Sequence, residues 1–397
     1  MTPARNAVPV AIAGGGIGGL ACALALARRG FRSLVLEQAR EFGEAGVGLQ
    51  VAPNALSVLD ALGVGAAAKK NALLIERLLM MDAVSGEEIA NIPCGERFRE
   101  RFGNPYAVAH RADIHGALLD ACRGHDLVAL RNDCRVIGFD IAAPGVSVAL
   151  QSGERIAAAA LVGADGVSSQ IRRSLLDDGE PLASGAIIFR ATIPAADMPK
   201  DLQKPYPTFW AGPGHHVIYY PVRDWTVFNL GCTVVTGQTA LDEDAEIAPE
   251  TVLPLFSASC ATPLRVMRIP MRFRQFVIRH REPVENWSMG PVTLLGDAAH
   301  PMVQYIAQGA AMALEDAICL AGAVDESDGD FAAAFRRYQD VRIVRTARVQ
   351  ISSLMMDRIN HAKGVERKVR NSLFEGRTAE DYYDRLSWLY TAPAYVK

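Results

Sequence analysis

The sequence predicts a mixed α/β (α+β) fold: a Rossmann-like dinucleotide-binding domain, a second domain built on an antiparallel sheet, and a helical C-terminal region. Three observations predict it. At the N-terminus an apolar strand, a glycine turn, a helix and a second strand ending in an acid follow one another within about 30 residues. Residues 181–280 are rich in Val, Ile, Phe, Tyr and Pro and show little helical periodicity. Long helical patterns close the chain. The 397 residues suffice for two or three domains, and half of them are apolar. A net charge of −3 with 21% charged residues excludes a disordered polyelectrolyte and a globally basic nucleic-acid binder.

The N-terminal unit begins with the apolar run Val8 to Ala13, followed by Gly14-Gly15-Gly16-Ile17-Gly18-Gly19. Apolar positions then recur at Ile17, Leu20, Ala21 and Leu24, one face of a helix. A second run, Ser33 to Leu36, ends in Glu37. Gly14 permits a tight turn, Gly16 lets the backbone approach a pyrophosphate, and Gly19 lets the helix pack close to the strand. The helix N-terminus offers N–H groups to phosphates. Glu37 can accept hydrogen bonds from a ribose and would repel a phosphate in place of its 2′-hydroxyl. The fingerprint alone does not separate FAD from NAD.

Further along, Leu78 to Ile92 reads as a hairpin around Ser85-Gly86. Arg111 precedes a helical pattern at Ile114, Leu118 and Leu119. The run Ala157 to Ala160 reads as the start of a strand that continues through Leu161-Val162-Gly163 to Ala164-Asp165-Gly166. Leu294-Leu295-Gly296-Asp297 ends another buried strand. A helix follows from Ala310, with Ala311, Leu314, Ile318 and Ala321 on one face. These elements divide the chain into a discontinuous nucleotide domain (1–75, 101–178 and 271–330), a sheet domain (76–100 and 179–270) and a C-terminal helical region (331–397).

The stretch from Arg336 to Arg370 carries ten Lys/Arg against three Asp/Glu and reads as a solvated helical face. No apolar run reaches the ~20 residues that cross a bilayer, and no secretory signal is visible. The seven cysteines form no C-x-x-C and no metal-ligand spacing, so no metal is expected; they read as free thiols of a reducing cytosol.

Three separated motifs resemble the class A flavoprotein monooxygenases, single-component FAD-dependent aromatic hydroxylases with a p-hydroxybenzoate-hydroxylase-like fold. They are GGGIGGL at 14–20 with Glu37, ADGVSSQIR at 164–172, and GDAAHPMVQYIAQGAAMALEDA at 296–317. Within that family HHVIYYPVR at 215–223, HPMVQY at 300–305 and YYDRLSWLY at 382–390 are most similar to 3-hydroxybenzoate 6-hydroxylases; salicylate hydroxylases and 6-hydroxynicotinate 3-monooxygenases are near relatives. One departure is visible. Many relatives have Gly-Gln-Gly before the last helix where this chain has Ala307-Gln308-Gly309, a change expected to matter little because the N–H groups remain.

The resemblance implies FAD as cofactor, NADH as electron donor with NADPH left open, and O2 and a small phenolic acid as substrates. It implies para-hydroxylation through a flavin C4a-hydroperoxide, 3-hydroxybenzoate giving 2,5-dihydroxybenzoate, and a homodimer. Salicylate or 6-hydroxynicotinate hydroxylation, or a non-catalytic flavin-binding protein, are the alternatives. Asp297 is implied to meet the ribityl and ribose side of FAD, with an N-cap role as the simpler reading. Gln308, Gly309 and Ala310 are implied to offer N–H groups to the flavin ring. Arg111 and Asp165 are implied to serve the pyrophosphate region, and Val47-Gly48-Leu49-Gln50 to lie near the isoalloxazine. If residues 216–220 form a strand, His216 and Tyr220 share a face and point an imidazole and a phenol into one pocket. Both are candidate catalytic and substrate-binding residues, since a His best takes a phenol proton near neutral pH. Gln304 is a candidate substrate-binding residue, and no arginine stands out for a substrate carboxylate.

Overall fold

The computed structural model describes residues 5–43, 48–142 and 144–396. Two large sheets organise it. The first has six strands in the order Ser288–Met289, Val292–Leu294, Ala160–Gly163, Arg5–Ala13, Phe31–Leu36 and Val128–Arg131. All its pairings are parallel except the edge hairpin at 288–294. Parallel strands need crossovers, and the helices Ile17–Ala27 and Arg111–Arg123 supply two of them. Helix Ile17–Ala27 is buried along nearly its whole length, packed against helix Gly309–Glu326. Its Ala-rich sequence makes that close packing possible.

The second sheet has eight strands, in the order Glu246–Ile247, Phe273–His280, Leu182–Pro194, Val227–Val235, His215–Val222, Thr208–Gly212, Arg77–Asp82 and Glu88–Pro93. One pair departs from the expected antiparallel pattern: Thr208–Gly212 runs parallel to Arg77–Asp82. The hairpin at 77–93 comes from a distant part of the chain, so no tight turn constrains its direction. The 181–280 stretch also contains helices Pro249–Val252 and Ala261–Met267, too short to leave a clear period. Tyr219, Val217 and Phe189 face a separate core beneath this sheet, while Tyr220 faces the main core.

The run Ala157 to Ala160 is not one strand start. Ala158 closes strand Arg155–Ala158 of a three-stranded sheet, and Ala160 opens strand Ala160–Gly163 of the six-stranded sheet. Alanine has no shape preference strong enough to mark the break between them.

The basic C-terminal stretch is not a uniformly solvated face. Arg342 is fully buried and bonds Glu315 Oε2 and Asp316 Oδ1, each at 2.6 Å. Arg345 bonds both Glu315 oxygens at 2.7 Å. Arg370 and Arg367 close on the buried Asp82 at 2.5 and 2.7 Å. Buried carboxylates require charged partners, and these arginines are the partners. Helix Phe331–Asn360 is thereby tied to helix Gly309–Glu326, and helix Val365–Phe374 to strand Arg77–Asp82 of the eight-stranded sheet.

Candidate active site

The glycine turn is built as its sequence requires. Gly14 has φ +108°, a conformation strained for any side chain, and a Cβ there would overlap the Ala164 carbonyl. A Cβ on Gly19 would overlap the Gly14 carbonyl, so the helix begins directly against the strand end. Gly16 caps helix Ile17–Ala27 with no side chain over its first N–H groups. Glu37 accepts from the Gly15 N–H through Oε2 and from the Ala39 N–H through Oε1, both at 2.8 Å. It therefore braces the turn while lining the cleft above it.

That cleft has a volume of about 380 Å³. It brings together Gly14, Gly16, Glu37, Arg111, Asp165, Asp297, Gly309 and Ala310 from six separate stretches of the chain. Asp165 accepts from Ser169 Oγ at 2.5 Å and from the Gln170 and Ile171 N–H groups, so it shapes the loop into helix Gln170–Leu176. Asp297 is exposed within a short 3-10 turn and does not cap it; Leu295 holds the cap position. A Cβ on Gly309 would lie 3.6 Å from Asp297 Oδ1, which puts this carboxylate beside the start of helix Gly309–Glu326.

Gln308 caps that helix from a buried position. Its Oε1 accepts from Asn54 Nδ2 at 3.0 Å, and its Nε2 has no hydrogen-bond partner among the described residues. Asn54 also reaches Glu315 at 2.9 Å. Asp316 holds the opposite side of the loop, accepting from the Gly296 N–H at 2.9 Å and contacting His300 Nε2 at 2.6 Å. The acidic pair Glu315 and Asp316 thus fixes both the 296–300 loop and the start of the helix, and Arg342 neutralises the pair. The substitution at Ala307 matters more than the sequence suggests. Ala307 adopts φ +51°, the left-handed region where glycine is at ease and alanine is strained.

One face of the eight-stranded sheet adjoins this helix start. Strand pairing arranges it in three rows. Ile188, Thr233 and His216 form the first, Arg190, Gly231 and Ile218 the second, and Thr192, Asn229 and Tyr220 the third. A Cβ on Gly231 would press Ile218 at 3.3 Å, so glycine leaves the centre of the floor low. Gln304 covers the face. Its Oε1 accepts from Arg190 at 2.9 Å, and its Nε2 reaches Thr233 Oγ1 at 3.5 Å. Gly48 closes the far side, its N–H donating to Asn229 Oδ1 at 3.0 Å. A Cβ there would lie 2.6 Å from the Tyr220 ring. Gln50 accepts from Tyr106 Oη at 3.0 Å; Val47 lies outside the described residues.

His216 and Tyr220 are both buried on this face. Burial, with His361 and His215 nearby, pushes His216 well below the ordinary imidazole range, so the ring is neutral. Its Nδ1 meets His361 Nε2 at 2.7 Å, and its ring stacks on Phe209. His215, on the opposite face, meets Ser259 Oγ at 2.7 Å. Burial raises the Tyr220 hydroxyl, which stays protonated. Burial, with Arg111 in range, lowers Arg190 from its usual value, while Tyr220 opposes that shift.

Sequence reasoning missed Arg190. The signal was a single cation inside the apolar run GAIIFRATI; strand pairing, which the sequence does not show, places it on the His216 face. It also missed His361 and Asp357, which reach the site from a helix far along the chain.

The profile of the FAD binding domain family matches residues 7–326. A 3-hydroxybenzoate 6-hydroxylase of Aquipseudomonas alcaligenes is 44% identical over 96% of this chain and 97% of its own length. The chain belongs to the FAD-dependent aromatic hydroxylases. A 3-hydroxybenzoate 6-hydroxylase of Klebsiella oxytoca is 45% identical to this hydroxylase over 96% and 95% of the two chains. The crystal structure of Klebsiella pneumoniae HpxO complexed with FAD and uric acid superposes with a TM-score of 0.83 at 25% identity, covering 96% and 97% of the chains. FAD fits what the site offers: a cradle with no room for Cβ atoms, a bare helix N-terminus, and a buried Gln308 amide with an unmet donor.

Proposed function

We propose that this hydroxylase acts on 3-hydroxybenzoate, placing a hydroxyl para to the existing one to give 2,5-dihydroxybenzoate, with NADH as electron donor. The observation that carries the reading is the polarity of the sheet face. Arg190 with Gln304 forms a pole for a carboxylate, and neutral His216, one row along and across strand Val227–Val235, forms a pole for a phenol; Tyr220 closes the face from the third row, on the other side of the Gly231 row. Relatives at 44–45% identity named for this reaction support the same assignment.

Gly14, Gly16 and Gly19 would cradle the FAD pyrophosphate, with Arg111 and Asp165 beside it. Glu37 would take the adenosine ribose and Asp297 the ribityl side. Gln308, Gly309 and Ala310 would offer N–H groups to the flavin ring, with Gln50 near its other side. When bound, FAD supplies the hydride acceptor and the oxygen-activating chemistry that no side chain provides. The protein orients and deprotonates. His216 Nε2 accepts the phenol proton, because a phenolate ring carbon is a far better nucleophile than that of the neutral phenol. Tyr220, two rows along the strand from His216, would line the far part of the pocket beside Gly48. Arg190, tied to Gln304, holds the carboxylate so that the carbon para to the hydroxyl is presented.

The hydroxylase is proposed to be cytoplasmic, where NADH is available, and homodimeric. Helix Phe331–Asn360 exposes Val341, Val344, Ile351 and Met355 along one stripe, an apolar seam suited to a second copy. A panel of hydroxybenzoates and pyridinols, followed by NADH consumption and product identity, tests the substrate. Preferred turnover of salicylate with CO2 release would replace this reading.

A further inference from the structure

His216 lies at the inner end of a chain of polar contacts. Its Nδ1 is 2.7 Å from His361 Nε2, and His361 Nδ1 is 2.8 Å from Asp357 Oδ1. His361 is 6% exposed and Asp357 is 37% exposed, so the chain begins in the core and ends in solvent. The two imidazoles stack nearly parallel, 16° apart, and the Tyr305 ring packs edge-on against both. The other titratable groups facing the chain are His215 on the His216 strand, and Tyr305 and His280 near Asp357.

The chain also fixes where the protons sit. An ionised Asp357 accepts only, so His361 carries its hydrogen on Nδ1. With both imidazoles neutral, His361 Nε2 is then an acceptor, and the contact to His216 requires a hydrogen on His216 Nδ1. The other His216 nitrogen, Nε2, is left as a lone pair. A surface carboxylate thus sets the tautomer of a buried imidazole two residues away in the chain of contacts.

We infer that His361 and Asp357 are positioning residues that hold His216 in its basic tautomer and conduct the substrate's phenol proton to solvent. The inference rests on His216 being the base proposed above. The steps balance as proton transfers with no change in electron count. The phenol O–H bond breaks as His216 Nε2 gains that proton. The His216 Nδ1 proton moves to His361 Nε2, and the His361 Nδ1 proton moves to Asp357 and then to water. The same path runs backwards when the product hydroxyl re-forms. Without such an outlet, the proton would have to stay on His216, where burial and the neighbouring His361 and His215 disfavour an imidazolium.

The test uses the FAD-loaded protein with Asp357→Asn, Asp357→Glu and His361→Gln. An Asn amide donates to His361 Nδ1, reverses the tautomers and protonates His216 Nε2. Two readouts are needed: the pH at which bound 3-hydroxybenzoate becomes phenolate, from its ultraviolet difference spectrum on the oxidised enzyme, and steady-state kcat and KM. Asp357→Asn and His361→Gln are expected to raise that pH by about one unit or more and to lower kcat at neutral pH by about 10- to 100-fold, with KM little changed. Asp357→Glu is expected to restore most of both. Wild-type midpoints in either soluble variant would overturn the inference, and so would a loss confined to KM or to FAD content. A wild-type enzyme that does not hydroxylate the phenol, or a His216→Ala variant with normal turnover, would instead overturn the underlying reading.

Discussion

Arg190 donates a guanidinium N–H to Gln304 Oε1 at 2.9 Å, so the cation on the sheet face rests on a neutral amide. Among the described residues no carboxylate pairs with it. Holding an unpaired cation in such a place costs several kcal/mol unless an anion arrives. On the function proposed above, a substrate carboxylate would supply that anion on the Gln304 side of the pocket.

Arg190→Gln removes the charge and keeps a polar group of similar reach. A charge-assisted hydrogen bond is worth about 2–3 kcal/mol, so KM for 3-hydroxybenzoate should rise by roughly 30- to 150-fold. A neutral phenol such as 3-methylphenol should lose far less. Steady-state kinetics with both compounds check the difference; equal effects on the two would place the carboxylate elsewhere.

Arg342→Met should destabilise the fold by about 3–5 kcal/mol, because it removes the cation that bridges the buried Glu315 and Asp316 and leaves them to Arg345 and His300 alone. It should also lower FAD retention, since Asp316 positions Gly296 and His300. Urea denaturation and flavin content of the purified variant measure both. Loss of stability with full FAD affinity would separate the ion-pair network from the cofactor loop.

Ala307→Gly should raise stability by about 1 kcal/mol, as it releases left-handed strain at the turn before helix Gly309–Glu326. The gain is partly offset by the greater freedom glycine gives the unfolded chain. A thermal melt of the FAD-free protein is the direct readout, and a fall in melting temperature would show that the alanine methyl is needed for packing.

Much of the fold is legible in the sequence because its signals are local. The 14–19 glycines, the apolar runs at 8–13 and 33–36, and the helical faces at 17–24 and 311–321 each announce their element within a few turns. The parallel contact between Thr208–Gly212 and Arg77–Asp82 was not legible, since no local pattern encodes which distant edge a strand meets. The burial of Arg342 and Arg370 was hidden for the same reason. A charge run reads as solvent-facing until Glu315, Asp316 and Asp82 are seen opposite it. In the candidate site, alternation along 216–220 put His216 and Tyr220 on one face. It said nothing of His361, which arrives from a helix 145 residues later.

A phenolic acid held, as proposed, by Arg190 at one end and His216 at the other presents the position para to its hydroxyl for oxygen transfer. The measurement that tests it most directly is product analysis after turnover of 3-hydroxybenzoate with NADH under 18O2. The expected product is 2,5-dihydroxybenzoate carrying one labelled oxygen. A 2,3- or 3,4-dihydroxybenzoate product, or NADH consumption that yields only hydrogen peroxide, would contradict it.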